Sequence, residues 1–295
     1  MAGTFHSGFV AVVGRPNTGK STLVNALVGS KVAITSDKPQ TTRSAVRGIV
    51  ELDDAQIVLV DTPGYHKPRT LLGERLNDIV RRAWSDVEAA LFVLDGAAGA
   101  GGGDQRVAAD LERAGARIIC VVNKIDALSR DGIVKQLATA ATLGDFDEYV
   151  PASALAGDGI PLLRDLLRAR MPEGPMYYPQ GMSTDQPPPL FVAELVREKL
   201  LARTRDELPH SIAVVTEEYE ERADGLLEIK ALVYVERESQ KGIVIGHGGE
   251  GIKAVGTEAR EEIELLFGRR VFLDLRVRVE KDWQRRAHAL ERLGF

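Results

Sequence analysis

A glycine-rich turn between an apolar strand and a helix is the feature that most restricts this chain. Residues 9–13, Phe-Val-Ala-Val-Val, run into Gly14-Arg-Pro-Asn-Thr-Gly19-Lys20-Ser21 and then into the apolar-periodic stretch 22–27. The eight residues satisfy G-x-x-x-x-G-K-S without a mismatch, in the strand–turn–helix setting the motif requires. Glycines let the backbone curl so that successive N–H groups and the helix N-terminus point at phosphate oxygens. Lys20 supplies a point charge for β- and γ-phosphates, and the Ser21 hydroxyl is a Mg²⁺ ligand. Gly14, Asn17, Thr18, Gly19 and Thr22 complete the expected phosphate cradle.

The segments after this turn keep alternating. Residues 46–52, 57–60, 89–94, 118–122 and 149–151 read as strands, and 72–84, 105–114, 134–140 and 161–169 as helices. Strand–helix alternation implies an α/β domain with a mostly parallel sheet and helices on both faces. The Gly/Ala-rich run 96–103 reads as a mobile loop serving as a simple linker.

Residues 172–189 carry Pro172, Pro175, Pro179 and the run Pro187-Pro188-Pro189. Prolines at that density deny helix and central strand, so an ordered or semi-rigid connector is expected. Beyond it the order changes to helix (190–203), strands (212–220 and 226–235), helices and a last strand (271–279). The chain divides on this reading into an α/β domain over 1–171, a connector over 172–189 and an α+β domain over 190–295.

Two further motifs follow strands of the first domain. Asp61-Thr-Pro-Gly64 ends the apolar run 57–60. A carboxylate there suits an outer-sphere Mg²⁺ contact, and the Gly64 N–H can meet a γ-phosphate oxygen. Asn123-Lys124-Ile-Asp126 ends the run 118–122. An aspartate accepts two hydrogen bonds from guanine N1–H and its 2-amino group, which adenine cannot offer, so an ATPase reading fails at Asp126. Asn123 would tie loops together and the Lys124 stem would cover the base. Ser153-Ala154-Leu155 gains meaning only from its position, which would set the Ala154 N–H against guanine O6.

With these motifs in order, the first domain resembles the GTPase domain of translation-factor-like small GTPases, and Lys38-Pro-Gln-Thr-Thr-Arg43 resembles the first switch of the Era/TrmE/EngA group. The resemblance implies GTP and GDP as ligands, Mg²⁺ as cofactor, and a switch threonine on the metal, with Thr42 preferred and Thr41 the alternative. It implies catalysis through Lys20, Thr42 and Gly64, and K⁺ at Asn17. In Ras-like enzymes a glutamine follows Asp-x-x-Gly and orients the attacking water; here Tyr65 stands there, so slow intrinsic hydrolysis is expected. His66 is nearby and could be proposed as a base, though a lone histidine at such a place is more often neither base nor ligand.

In the second domain, Ile245-Gly246-His247-Gly248-Gly249 precedes the helix at 251–266, and Val-Ile-Gly-x-x-Gly-x-x-Ile-Lys, ending at Lys253, resembles a type II KH domain. Glycines at such a turn let a nucleic-acid backbone approach closely. His247 and Glu250 stand where positive charge is common in KH loops, while Arg269, Arg270, Arg276, Arg278, Lys281, Arg285, Arg286 and Arg292 gather near the end. Arg276 and Arg278 fall on one side of a strand. A P-loop GTPase domain joined to a KH domain is similar to the Era family of bacterial GTPases. That resemblance implies binding to the 3′ end of 16S rRNA, action in 30S subunit assembly, a monomeric chain, and peripheral association with the cytoplasmic membrane face. An RNA-binding scaffold with a nearly inactive nucleotide domain and a tRNA-modification GTPase are the alternatives.

Composition restricts the rest. At 295 residues, 44% hydrophobic and 27% charged, the chain has the balance of a cytoplasmic globular protein. Charges interrupt every apolar run well short of about 20 residues, so no membrane span is expected, and the start lacks the pattern of a secretory signal. A formal net charge of −5 argues against wholesale coating of nucleic acid but leaves room for a local RNA site. Cys120, the one cysteine, lies in an apolar run and reads as a buried thiol.

Overall fold

The computed structural model describes residues 4–295 apart from 66, 67, 69, 85 and 86. It divides into two compact units, Met1–Arg69 with Gly73–Asp185 and Thr70–Leu72 with Gln186–Phe295.

The first unit runs β1 (His6–Val13), α1 (Lys20–Val28), β2 (Val46–Leu52), β3 (Ala55–Asp61), α2 (Leu71–Ala83), β4 (Ala89–Asp95), α3 (Gly102–Arg113), β5 (Ile118–Asn123), α4 (Arg130–Ala140), β6 (Glu148–Pro151) and α5 (Ile160–Arg168). The sheet order is β2-β3-β1-β4-β5-β6, with every neighbouring pair parallel except β2–β3. Both faces are covered. Val10 and Val12 of β1 join a core with Leu23, Leu27, Leu163 and Leu167 of α1 and α5. Their alternates Ala11 and Val13 join Val80, Val107, Leu111 and Phe146 on the other side. This is the period-two split expected of a strand buried on both faces, and each fully buried aliphatic side chain contributes roughly 1.5–3 kcal/mol. Arg164 of α5 donates to the carbonyls of Ala26 (3.2 Å) and Leu27 (2.6 Å), which closes the C-terminal end of α1.

The proline-rich segment is an ordered connector over most of its length. Through Asp185 it is hydrogen-bonded along the first unit. Ser7 Oγ donates to the Pro175 carbonyl (2.7 Å), and buried Gln56 bonds the Tyr177 and Tyr178 backbones at 2.9 Å. Further along, the Ile49 N–H donates to the Ser183 carbonyl (2.8 Å), and Arg47 pairs with Asp185 at 2.8 Å. The sheet's outer strand β2 thus has its open edge covered. The helix beyond it begins at Pro188, two residues before the expected start, because the first turn of a helix needs no N–H donors and accepts proline.

The second unit comprises α6 (Pro188–Arg203), α7 (Leu208–Ser211), β7 (Ala213–Glu221), β8 (Leu227–Val235), α8 (Glu238–Ile245), α9 (Glu250–Phe267), β9 (Val271–Val279) and α10 (Ala287–Arg292). Its sheet is β7-β8-β9, antiparallel between β7 and β8 and parallel between β8 and β9. Trp283 is fully buried, donates to the Ser211 carbonyl at 3.0 Å and stacks on Phe295. This is the mixed three-stranded α+β arrangement expected of a type II KH domain. No helix among the described residues is long and apolar enough to cross a membrane.

Candidate functional site

The turn after β1 needs its glycines. Gly14 has φ +156 and a Cβ there would lie 2.4 Å from the Val93 carbonyl oxygen, while at Gly19 (φ +89) it would lie 2.4 Å from the Asn123 amide nitrogen. Asn17 also takes positive φ, +64. Lys20, only 6% exposed, donates to the carbonyls of Gly14 (3.3 Å) and Arg15 (2.9 Å). Burial pulls its ammonium down to about 8, against the attraction of Asp61.

Beside it, Ser21 Oγ donates to Asp61 Oδ2 at 2.6 Å and lies 2.9 Å from Thr42 Oγ1, which is itself 3.4 Å from Asp61. Thr41 instead donates to the Lys38 carbonyl. Asp61 is fully buried, its Oδ1 has no hydrogen-bond partner, and burial pushes its carboxyl up to about 6 despite hydrogen bonds from Ser21 and Thr42. Two hydroxyls and a carboxylate with a spare buried oxygen form a hard-oxygen donor set of the kind Mg²⁺ takes alongside substrate phosphates. Gly64 comes so near the phosphate turn that a Cβ would meet the Pro16 backbone at 2.6 Å, and the Tyr65 N–H donates to Gly14 (3.1 Å). The Tyr65 ring packs on Trp84. His66 lies outside the described residues.

The base-reading loops converge through Asn123. Its amide donates to the Thr18 carbonyl at 2.9 Å and accepts the Ala154 N–H at 3.0 Å. Ser153 Oγ donates to Asp126 at 2.5 Å. Lys124, at φ +66, reaches back to the Asn17 carbonyl at 2.7 Å and to Asp95 at 2.6 Å. Leu155 is 83% exposed. The run 96–103 is tied down rather than a plain linker. Arg15 donates to the Gly99 carbonyl and pairs with fully buried Asp104, and Gly102 already begins α3. Cys120 is fully buried, its thiol pushed up to about 12 by burial, which leaves it inert.

In the second unit Ile245 ends α8 and Gly246 (φ +74), Gly248 (φ +58) and Gly249 (φ +85) turn the chain into α9. A Cβ at Gly246 would meet the Gly251 nitrogen at 2.8 Å, whereas Gly248 and Gly249 face open space. His247 and Lys253 are exposed. Downstream, Ile252, Gly256 and Arg260 of α9 face Leu273 and Leu275 of β9 across a groove of about 270 Å³. Apart from Ile252, which the loop motif already contains, these groove residues escape a motif search. Their signal is the i, i+4, i+8 spacing 252–256–260 set against the odd positions of β9. Arg276 and Arg278 share a side of β9, but alternation puts them on the side opposite Leu273 and Leu275, and Arg276 pairs with Asp274 at 3.1 Å. The wider basic cluster is partly neutralised, since Arg269 pairs with Glu221 and both Arg286 and Arg292 with Glu280.

Comparison with known proteins identifies the families of the two units. A family described as 50S ribosome-binding GTPase matches residues 9–124, and the KH domain family matches residues 207–284. GTPase Era of Mycobacterium tuberculosis H37Rv is 53% identical over 297 residues, covering 99% of each chain. A crystal structure of Era with MgGDPNP and nucleotides 1506–1542 of 16S ribosomal RNA superposes with TM-score 0.95 at 36% identity, over 98% of this chain and 99% of that one. A variant of Aquifex aeolicus Era bound to GDP and AlF4⁻ gives the same figures.

Proposed function

This chain belongs to the Era family of GTPases, and from that premise we propose that it is a GTP-driven switch whose KH unit binds the 3′ end of 16S rRNA during 30S subunit assembly. The observation that carries the switch is the Ser21–Thr42–Asp61 triangle, which joins the phosphate turn, the first switch and the end of β3 within hydrogen-bond reach.

Lys20 turns from the Gly14 and Arg15 carbonyls to the β- and γ-phosphates, and the N–H groups of the glycine turn cradle them. Ser21 and Thr42 would hold Mg²⁺ through their hydroxyls, with the Asp61 carboxylate within hydrogen-bond reach of both. When bound, the metal neutralises charge developing on the β- and γ-oxygens. The Gly64 N–H faces the γ-phosphate, so loss of that group releases Gly64 and Thr42 together. Asp126 reads guanine N1–H and its 2-amino group, held by Ser153, and Ala154 offers its N–H to O6. Among the described residues no side chain near the phosphate turn stands as a general base, and the scheme assigns rate acceleration to position and electrostatics. Asn17, whose amide donates to the Asp37 carbonyl at 2.7 Å, is the K⁺ ligand of this scheme, testable as a difference between hydrolysis in K⁺ and in Na⁺.

On the RNA side, the open backbone at Gly248 and Gly249 takes the phosphate backbone, with Ile245, Gly246, His247 and Lys253 around it. Arg276 and Arg278 serve RNA only where it wraps the other side of β9. The protein acts as a cytoplasmic monomer, and peripheral membrane association is a finer expectation to be checked by co-flotation with anionic vesicles.

The test is binding of a labelled 3′-terminal 16S fragment in the presence of a non-hydrolysable GTP analogue or GDP, comparing the full chain with Gly248→Asp. Gly248 faces open space at φ +58, a left-handed conformation that aspartate adopts more readily than most side chains, so the variant places a carboxylate against the RNA backbone at the cost of local strain, and its fold is checked by circular dichroism. Tighter binding with the analogue, lost in the variant, supports the switch. Equal binding in both nucleotide states overturns the gating, and no binding in either overturns the RNA assignment.

A further inference from the structure

Asp95 ends β4 directly opposite Asn123 in the β4–β5 register, outside every motif identified above. Its side chain is 13% exposed. Oδ1 accepts the Ala98 N–H at 3.0 Å, and Oδ2 lies 2.6 Å from Lys124 Nζ. The turn that carries it is hydrogen-bonded to β5 and to itself. Gly96 N–H donates to the Asn123 carbonyl at 2.8 Å and Gly99 N–H to the Asp95 carbonyl at 2.9 Å. A Cβ at Gly96 would meet that Asn123 oxygen at 2.7 Å. Lys124 Nζ makes its other bond to the Asn17 carbonyl of the phosphate turn at 2.7 Å, and its Cε passes 4.0 Å from the Cβ position of Gly19.

Lysine is a flexible four-carbon stem with a strongly hydrated ammonium. Left without a partner beside a triphosphate, that ammonium would be drawn towards the phosphates and the stem would leave the base. We propose that Asp95 is a positioning residue for guanine-nucleotide binding, holding the Lys124 ammonium against the Asn17 carbonyl so that the stem is already laid out as the wall of the base pocket. The ion pair ends on the sheet, so the ordering of this side chain is complete before nucleotide arrives, which is the general route by which preorganisation raises affinity. The inference rests on the guanine-site reading above.

Asp95→Asn separates this role from the turn, because asparagine keeps an oxygen for the Ala98 N–H while removing the charge. Binding of fluorescent GDP and of a fluorescent GTP analogue is measured by stopped flow for the full-length wild type, Asp95→Asn, Asp95→Glu, Lys124→Met and the double variant Asp95→Asn/Lys124→Met. The expected result is roughly tenfold weaker binding of both nucleotides in Asp95→Asn, mainly through faster release. The loss falls on KM and not on kcat, most of it is recovered by Asp95→Glu, and Asp95→Asn has no further effect once Lys124 is methionine. Wild-type affinity in Asp95→Asn, or an equal additional loss in the Lys124→Met background, overturns the proposal. Failure of the wild type itself to bind either guanine nucleotide overturns instead the site reading beneath it.

Discussion

Replacing Asp61 by asparagine stabilises the nucleotide-free protein while removing its use of Mg²⁺. The carboxylate is fully buried, one of its oxygens has no partner, and its pKa rises from 3.8 to about 6. At 1.36 kcal/mol per unit, carrying the charge at pH 7.5 costs the folded state about 3 kcal/mol. The sign follows from proton uptake. A carboxyl whose folded pKa lies above its unfolded one adds stability that is full below about pH 4 and is lost as pH rises through about 6. Asparagine has the same shape and keeps an acceptor for the Ser21 hydroxyl, so the variant escapes that loss. Removing Asp61 also withdraws the attraction that supports the Lys20 ammonium, which makes about 3 kcal/mol an upper value. Each unit contains one tryptophan, Trp84 or Trp283, so bulk fluorescence mixes two transitions. Urea titration read by hydrogen exchange in β1, β3 and β4 isolates the first unit. The variant should resist urea better at pH 7.5, with the gain falling to about half at pH 5. A destabilised variant, or a gain independent of pH, would refute the assignment of a strained buried charge.

Three further outcomes follow from particular contacts. Asp126→Asn should weaken GTP binding roughly 10⁴-fold and move preference towards xanthosine triphosphate, read by competition between the two nucleotides. Arg164→Ala uncaps the α1 carbonyls at Ala26 and Leu27 and should lower the stability of the first unit by about 1–2 kcal/mol, measured by denaturant unfolding. Gly64→Ala sets a methyl 2.6 Å from the Pro16 backbone. Single-turnover hydrolysis should therefore fall while GDP affinity holds, because GDP lacks the γ-phosphate that the proposed Gly64 contact serves.

The nucleotide motifs were legible in the chain because their chemistry tolerates few residue types at fixed spacings, and the segments that hold them alternate as a doubly covered sheet must. What pairs across space was not. Asp95 meets Lys124 through the β4–β5 register, and Arg15 reaches Asp104 across a glycine run that reads as slack. Period-two alternation says that Arg276 and Arg278 share a side of β9, yet which side faces the groove depends on where α9 packs. Thr41 and Thr42 are indistinguishable by spacing, and only the fold brings the Thr42 hydroxyl to Ser21 while turning Thr41 to the Lys38 carbonyl. Proline density reports that a segment is neither helix nor central strand, but not that its carbonyls are already spoken for.

That last point bears on how the protein can be dissected. A fragment ending at residue 171 would strip the β2 border, leaving the Ile49 N–H and the Gln56 amide to seek new partners, the condition under which sheet borders recruit one another in solution. A fragment ending after Asp185 carries its own selvedge. The fourteen residues that separate the two end points, 172–185, decide between a GTPase module that stays dispersed and one that precipitates through its own rim.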